Sequence, residues 1–176
     1  AFLIEAMPYI KKYFNKILVV KYGGNAMVDD AIKSSVMRDL VVLNLLGIKV
    51  VLVHGGGPDI SQTIKQMGKE SKFINGLRYT DGETAEIVRM VLAGKTNKNL
   101  TDLIYRNGGK AIGICGQDGH LLKCEKQDED LGFVGKIVEV NTQIITDLLG
   151  LGYVPVISTV GYDDEGNIYN INADTA

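Results

Sequence analysis

Along the chain, short unbroken apolar runs alternate with longer stretches whose apolar residues recur at helical intervals. Phe2, Leu3, Ala6, Met7, Ile10, Tyr13 and Phe14 share one such face and predict an amphipathic helix over residues 2–14. Pro8 lies inside it, where a missing N–H and a crowded preceding turn predict a kink or a split. The run Ile17-Leu18-Val19-Val20 has the length and β-branched content of a buried strand, and Gly23-Gly24 ends it. Ile32, Val36, Leu40 and Leu43 then mark a helix that opens at Asp29 or Asp30 and closes at Gly47. A second buried strand over 49–53 runs into Gly55-Gly56-Gly57, and a helix follows from about Pro58. Two strand–glycine–helix units in succession predict an α/β fold, three-layer αβα, with a mainly parallel central sheet and crossover helices.

The middle of the chain is more varied. Thr80 and Glu83 have capping-box spacing ahead of Val88, Val91 and Leu92, with Gly94 as a stop. Leu100, Leu103 and Ile104 carry a further helix ending at Asn107-Gly108. A strand over 110–115 leads to Asp118-Gly119, a hairpin-turn signal, and residues 121–140 read as short antiparallel strands. A helix over about 142–149 precedes a strand over 153–158. Residues 163–167 read as a turn, and Asn172-Ala173-Asp174 as the opening of a helix. A helix that opens so close to the last residue suggests a chain cut short. Residues 1–15 thus read as an N-terminal kinked helix and 16–176 as one lobe.

Composition narrows the function classes. Nineteen basic against 21 acidic residues give a net charge of −2, which argues against nucleic acid as an obligatory partner. No apolar run approaches bilayer length, and the N-terminus lacks the order of a signal peptide. Cys115 and Cys124 match neither a metal-ligand nor a redox spacing, so they read as free thiols in a reducing, cytoplasmic compartment.

Candidate chemistry gathers at the strand ends. Lys21-Tyr22-Gly23-Gly24 sets a cation beside two glycines where a strand emerges, and His54-Gly55-Gly56-Gly57 repeats the arrangement. Glycines there let backbone N–H groups approach an anion, and a following helix adds its positive end. In an open parallel sheet both loops fall on the carboxyl edge, where ligands bind. Gly94-Lys95-Thr96 imitates the end of a P-loop, but Arg89 stands where the earlier glycine is required. No dinucleotide fingerprint follows a strand, and neither His54 nor His120 has a partner at zinc-ligand spacing, so no metal site is expected. His54 reads as a structural or loop-orienting residue rather than a general base.

Several motifs in order carry a family resemblance. Lys21 to Met27 and Val53-His54-Gly55-Gly56-Gly57-Pro58 resemble the wider amino-acid kinases, while Leu92-Ala93-Gly94-Lys95 and Asp130 to Gly135 are similar to the N-acetylglutamate kinases among them. Asn75-Gly76-Leu77-Arg78 and Asn170-Ile171-Asn172-Ala173-Asp174 narrow the resemblance to the N-acetylglutamate kinases. The resemblance implies ATP-dependent phosphorylation of the γ-carboxylate of N-acetyl-L-glutamate, with Mg2+ carried on the ATP. It implies that Lys21 stabilises the transferring group, that Asp174 holds Lys21, and that Gly23, Gly24 and Gly55 cradle phosphate. Arg78 would clamp the substrate's α-carboxylate, while Gly55, Gly56 and Asn170 bind the rest.

In that family the chain continues past Asn-Ala-Asp into a nucleotide-binding half with a second lysine. The ATP site is therefore expected to be incomplete within these 176 residues, which alone should be inactive. Residues 5–10 resemble the extra helix of arginine-inhibited, hexameric members. The helix then either packs on its own lobe or pairs with a copy, beside a dimer through the lobe, with arginine as a feedback inhibitor. Kinases of glutamate, aspartate, carbamate or uridylate are rival readings, as is a non-catalytic anion-binding or assembly module. The discriminator is whether Arg78 faces the Gly55-Gly56 loop.

Overall fold

The computed structural model describes residues 2–176; the side chains of Phe2, Leu3 and Asn25 lie outside the described set, and with them two positions of the expected N-terminal stripe. In chain order the first elements are α1 (Phe2–Tyr13), β1 (Ile17–Tyr22), α2 (Asp30–Leu45), β2 (Lys49–His54) and α3 (Gly57–Gln66). A two-stranded hairpin, β3 (Phe73–Ile74) and β4 (Leu77–Arg78), leads to α4 (Gly82–Arg89), a π-helical segment Met90–Thr96 and α5 (Asn97–Arg106). Then come β5 (Ala111–Cys115), β6 (Leu122–Lys126), β7 (Gly135–Val140) and α6 (Gln143–Gly150). The last are β8 (Val154–Ser158), β9 (Val160–Tyr162) and β10 (Ile168–Asn170).

The central sheet is parallel, in the order β1-β2-β8-β5. Its side chains alternate between faces, as the pleat requires. Val50 and Leu52 pack with Met37, Leu40 and Val41 of α2 and Leu100 and Ile104 of α5. Val51 and Val53 turn the other way, into a cluster with Leu149 of α6 and with Leu122, Cys124 and Tyr169 of a second sheet. That second sheet, β10-β9-β6-β7, pairs antiparallel except between β6 and β9. Helices cover both faces of the parallel sheet, so the three-layer αβα expectation holds.

Several local expectations are corrected. α1 continues through Pro8 without a split, because one deleted hydrogen bond leaves the rest of the ladder, up to Phe14 N–H donating to Ile10 O at 2.8 Å. Strand β1 is not buried: it is an edge with one neighbour, and Ile17, Leu18 and Val19 are exposed. The cap of α4 is Asp81, which accepts from Thr84 N at 2.8 Å; the Thr80 hydroxyl is instead spent on Arg78 O. Gly94 stops nothing, since the helix passes through the π segment directly into α5. Burial of Val91, Leu92, Leu100 and Ile104 outweighs the roughly 1 kcal/mol that a helical glycine costs. Asp118-Gly119 is not a hairpin turn but a 3-10 step from the parallel sheet into the second one, where the Asp118 carboxylate accepts from Cys115 N at 2.7 Å. Asn172 to Thr175 form a turn, with Asn172 Oδ1 accepting from Asp174 N at 2.8 Å.

Candidate active site

The parallel pairing of β1 with β2 sets Lys21 opposite Val53 and Tyr22 opposite His54. Both glycine loops therefore leave the same edge of the sheet, and Gly55 N–H donates to Tyr22 O at 3.1 Å to tie them together. Gly24 has φ of +65°, a conformation that favours glycine. A Cβ at Gly56 would lie 2.5 Å from Leu92 Cδ2, so this loop has no room for a side chain against the π segment. Asp59 in the first turn of α3 accepts from Thr96 Oγ1 at 2.8 Å and pairs with Lys95 Nζ at 3.2 Å. Lys95 and Thr96 thus brace α3, which is where the P-loop look-alike goes.

His54 is fully buried beneath the second loop. Its Nδ1 lies 2.8 Å from Gly55 O, and its Nε2 lies 3.0 Å from Asn97 Nδ2. A carbonyl can only accept and an amide NH2 can only donate, so Nδ1 carries the proton and the ring is neutral. Burial, reinforced by the charge of Lys98, pushes its pKa down to about 4, against the smaller opposing effect of the Gly55 bond. The reading of His54 as a loop-orienting residue fits this geometry.

Arg78 comes from the hairpin. Asn75 and Gly76 have φ of 50° and 82°, the conformation of the tight turn that Asn-Gly sequences favour. That turn sets Phe73 directly across from Arg78, whose guanidinium carbon lies 4.8 Å from the Phe73 ring centroid. Nη1 donates to Ser71 Oγ (2.5 Å); Nη2 donates to Ser61 Oγ (2.8 Å) and Gly57 O (3.1 Å). The last bond turns Arg78 toward the end of the glycine loop, at Gly57. The residue is 7% exposed, and among the described residues no carboxylate lies within ion-pair distance of it. Burial lowers its pKa, yet a guanidinium starts so far above neutrality that it stays charged.

The opposite side of the site is built by the C-terminal turn. Asp174 Oδ1 lies 2.6 Å from Lys21 Nζ. Both side chains are substantially exposed, so the pair positions the ammonium more than it stabilises the fold. A Cβ at Gly55 would lie 3.3 Å from Ala173 Cβ, which shows how closely this turn abuts the loop. Asn170 donates from Nδ2 to Thr80 Oγ1 at 3.3 Å.

All eight residues singled out from the sequence line one cavity of about 360 Å³. Phe73, Leu92, Val134, Thr159 and Ile171 join them, and the reading from sequence named none of these as site residues. For Phe73 a signal existed, because an Asn-Gly hairpin turn dictates the 73–78 register. Ser61 and Ser71 carried no signal. Among the described residues no group of three or more His, Cys, Asp or Glu is placed to hold a metal ion. No helix is long and apolar enough to cross a membrane.

Residues 16–176 match the model of the amino acid kinase family. The chain belongs to that family. Among curated relatives it is 56% identical over 176 residues to an acetylglutamate kinase of Caldanaerobacter subterraneus subsp. tengcongensis, covering 99% of this chain and 59% of the relative. Acetylglutamate kinases of Brachyspira hyodysenteriae and Clostridioides difficile are each 54% identical, over 99% of this chain and 61% of their own length. The chain thus spans about three fifths of the length of these relatives. Among solved structures, smu.665 from Streptococcus mutans UA159 superposes with a TM-score of 0.80 at 29% identity, over 92% of this chain and 65% of that one. An N-acetylglutamate synthase from Neisseria gonorrhoeae, complexed with coenzyme A and N-acetyl-glutamate, gives 0.80 at 20% identity over 97% of this chain and 40% of its own, which shows a shared amino acid kinase fold.

Proposed function

We propose that this chain is the acceptor-binding lobe of an acetylglutamate kinase, which transfers a phosphoryl group from ATP to the γ-carboxylate of N-acetyl-L-glutamate in arginine biosynthesis. The observation that carries the reading is Arg78, a buried guanidinium with no carboxylate partner among the described residues, held at the rim of a cavity beside two glycine loops. A buried charge is costly unless it is paired, so a ligand carboxylate is the missing partner. The guanidinium fork suits bidentate contact with the α-carboxylate. Asn170 and the Gly55-Gly56 backbone would bind the remainder of the acceptor.

The chemistry asks little of a base, because the acceptor carboxylate is already ionised at neutral pH. It asks for neutralisation of charge where two anions meet. Lys21, held by Asp174, would supply the cation there, and the Gly23, Gly24 and Gly55 amides would supply hydrogen-bond donors. These N–H and ammonium donors suit phosphate oxygens, so the residues present fit one end of an ATP. With no acidic cluster among the described residues, Mg2+ would be held on the nucleotide. Residues 16–176 would form this lobe, and 1–15 a separate helix. Exposed Ile4, Met7 and Tyr9 on α1 support pairing of that helix with a second copy in a homo-oligomer. Arginine inhibition would belong to the longer protein. Two buried free thiols support a reducing, cytoplasmic setting.

Calorimetric titration of the chain with N-acetyl-L-glutamate tests the assignment. Saturable binding is expected, weakened at least about a hundredfold by Arg78→Ala, the scale of losing a paired buried charge. Tighter binding of glutamate, aspartate or carbamate would move the assignment to another member of the family. No binding by a folded chain would overturn it.

A further inference from the structure

Among the described residues one buried side-chain polar atom lacks a hydrogen-bond partner, and it belongs to the wall of the cavity: Thr159 Oγ1. The residue is 1% exposed. Buried hydroxyls are nearly always paired, so an orphan calls for a physical reason. Its neighbour shows the usual outcome, with Ser158 Oγ directed to Ile114 O. The Thr159 carbonyl is itself accounted for, since it accepts from Ile171 N–H at 3.1 Å.

Its position gives the reason. In the parallel register of β2 with β8, His54 stands opposite Ser158, so one step further along the edge Thr159 is level with Gly55. Thr159 thus lines the cavity together with Gly55 and the Ile171-to-Asp174 segment, to which its carbonyl is hydrogen-bonded.

We propose that Thr159 is a ligand-binding residue, whose hydroxyl donates to an oxyanion oxygen lying against Gly55. This deepens the kinase reading and rests on it. Two groups present that chemistry there: the side-chain carboxylate of the acceptor and the phosphoryl group of the donor. Before ligand arrives the hydroxyl has lost water and gained nothing. Once ligand is bound it has its partner. Removing it thus lightens the free protein and weakens the complex, two effects of opposite benefit that a purely structural threonine cannot produce.

The test is Thr159→Val, which keeps the shape and deletes the hydroxyl, with Thr159→Ala as a second deletion and Thr159→Ser as the conservative variant. Melting temperature without ligand is measured alongside calorimetric Kd values for N-acetyl-L-glutamate and for inorganic phosphate. The expected result is an unchanged or raised melting temperature for Thr159→Val, with a Kd about tenfold higher for one of the two probes. Thr159→Ser should stay close to wild type. Weakening confined to N-acetyl-L-glutamate assigns the acceptor carboxylate, and weakening confined to phosphate assigns the phosphoryl group. Unchanged Kd values for both probes in either deletion variant overturn the proposal, as a hydroxyl satisfied by a buried water would give. A lowered melting temperature with unchanged Kd values overturns it too. A folded wild-type chain that binds neither probe refutes the kinase reading itself, and this inference with it.

Discussion

Protonation of His54 should set the stability of this lobe between pH 7 and pH 5. The ring is fully buried, and both its nitrogens are committed in the neutral form. Taking up a proton would turn Nε2–H against the Asn97 NH2 group. Asn97 cannot simply turn over, because its Nδ2 also donates to Val156 O at 2.8 Å and Ile114 O at 3.2 Å. The native pKa is about 4, against 6.5 for an ordinary histidine. As pH falls below 6.5 the unfolded chain binds a proton that the native chain refuses, so stability falls with pH through this window and levels off below about 4. At about 1.36 kcal/mol per pH unit the full loss is about 3 kcal/mol, of which about 2 kcal/mol is gone by pH 5. For a chain of this length that is a drop of about 4–8 °C in Tm. Asp30 and Asp81, whose carboxyls are held below their ordinary value of 3.8 by hydrogen bonds, and Asp163, where burial acts upward but several hydrogen bonds together outweigh it, lose their contributions at still lower pH. The assay is urea unfolding at intervals from pH 7.5 to 5, in wild type and His54→Gln. The variant offers an amide donor and acceptor but no titrating ring, so its stability should be nearly flat where the wild type falls. The chain has two histidines, so one-dimensional NMR of the ring protons resolves them directly. Equal pH slopes in the two proteins, or a His54 ring that titrates near 6.5, would refute the reasoning.

Two further expectations follow from packing and burial. Gly132 has φ of +70°, and a Cβ there would lie 2.3 Å from Thr80 O, so Gly132→Ala should cost about 3 kcal/mol in urea unfolding. Gly150, at the end of α6 with nothing within 4 Å of an added Cβ, should instead gain about 0.5 kcal/mol as Gly150→Ala, and equal effects at the two sites would count against the contacts described. Burial raises the thiol pKa of both Cys115 and Cys124, the latter to about 11, so neither should react with a disulfide reagent at pH 8 until the protein unfolds. Rapid modification of either in the native state would contradict that burial.

Much of this protein was legible residue by residue, and the boundary of what was legible is physical. The alternation through Val50, Val51, Leu52 and Val53 declares a strand buried on both faces, because a pleat turns successive side chains to opposite sides. Glycines after two apolar runs, with Lys21 beside the first, point to the carboxyl edge of a parallel sheet as the place to look for a site. Those are local signals: a period, a turn, a charge next to a glycine. What only the tertiary structure decided depends on partners far along the chain. Thr80 loses the cap of α4 to Asp81 because its hydroxyl is occupied by Arg78 O and faces Asn170, ninety residues away. The helix runs through Gly94 because Val91, Leu92, Leu100 and Ile104 on either side of it find buried positions. Strand β1 is an exposed edge although its sequence reads like an interior strand, since exposure is set by neighbours and not by side-chain type. Arg78 is ordinary in sequence; Ser61, Ser71, Phe73 and Gly57 hold it as a buried cation without a carboxylate partner among the described residues. Thr159 is one threonine among many until the fold sets it in the same cavity wall as Gly55 with its hydroxyl unsatisfied. Periodicity is written in neighbouring residues, whereas desolvation and hydrogen-bond satisfaction are properties of what the folded chain brings together.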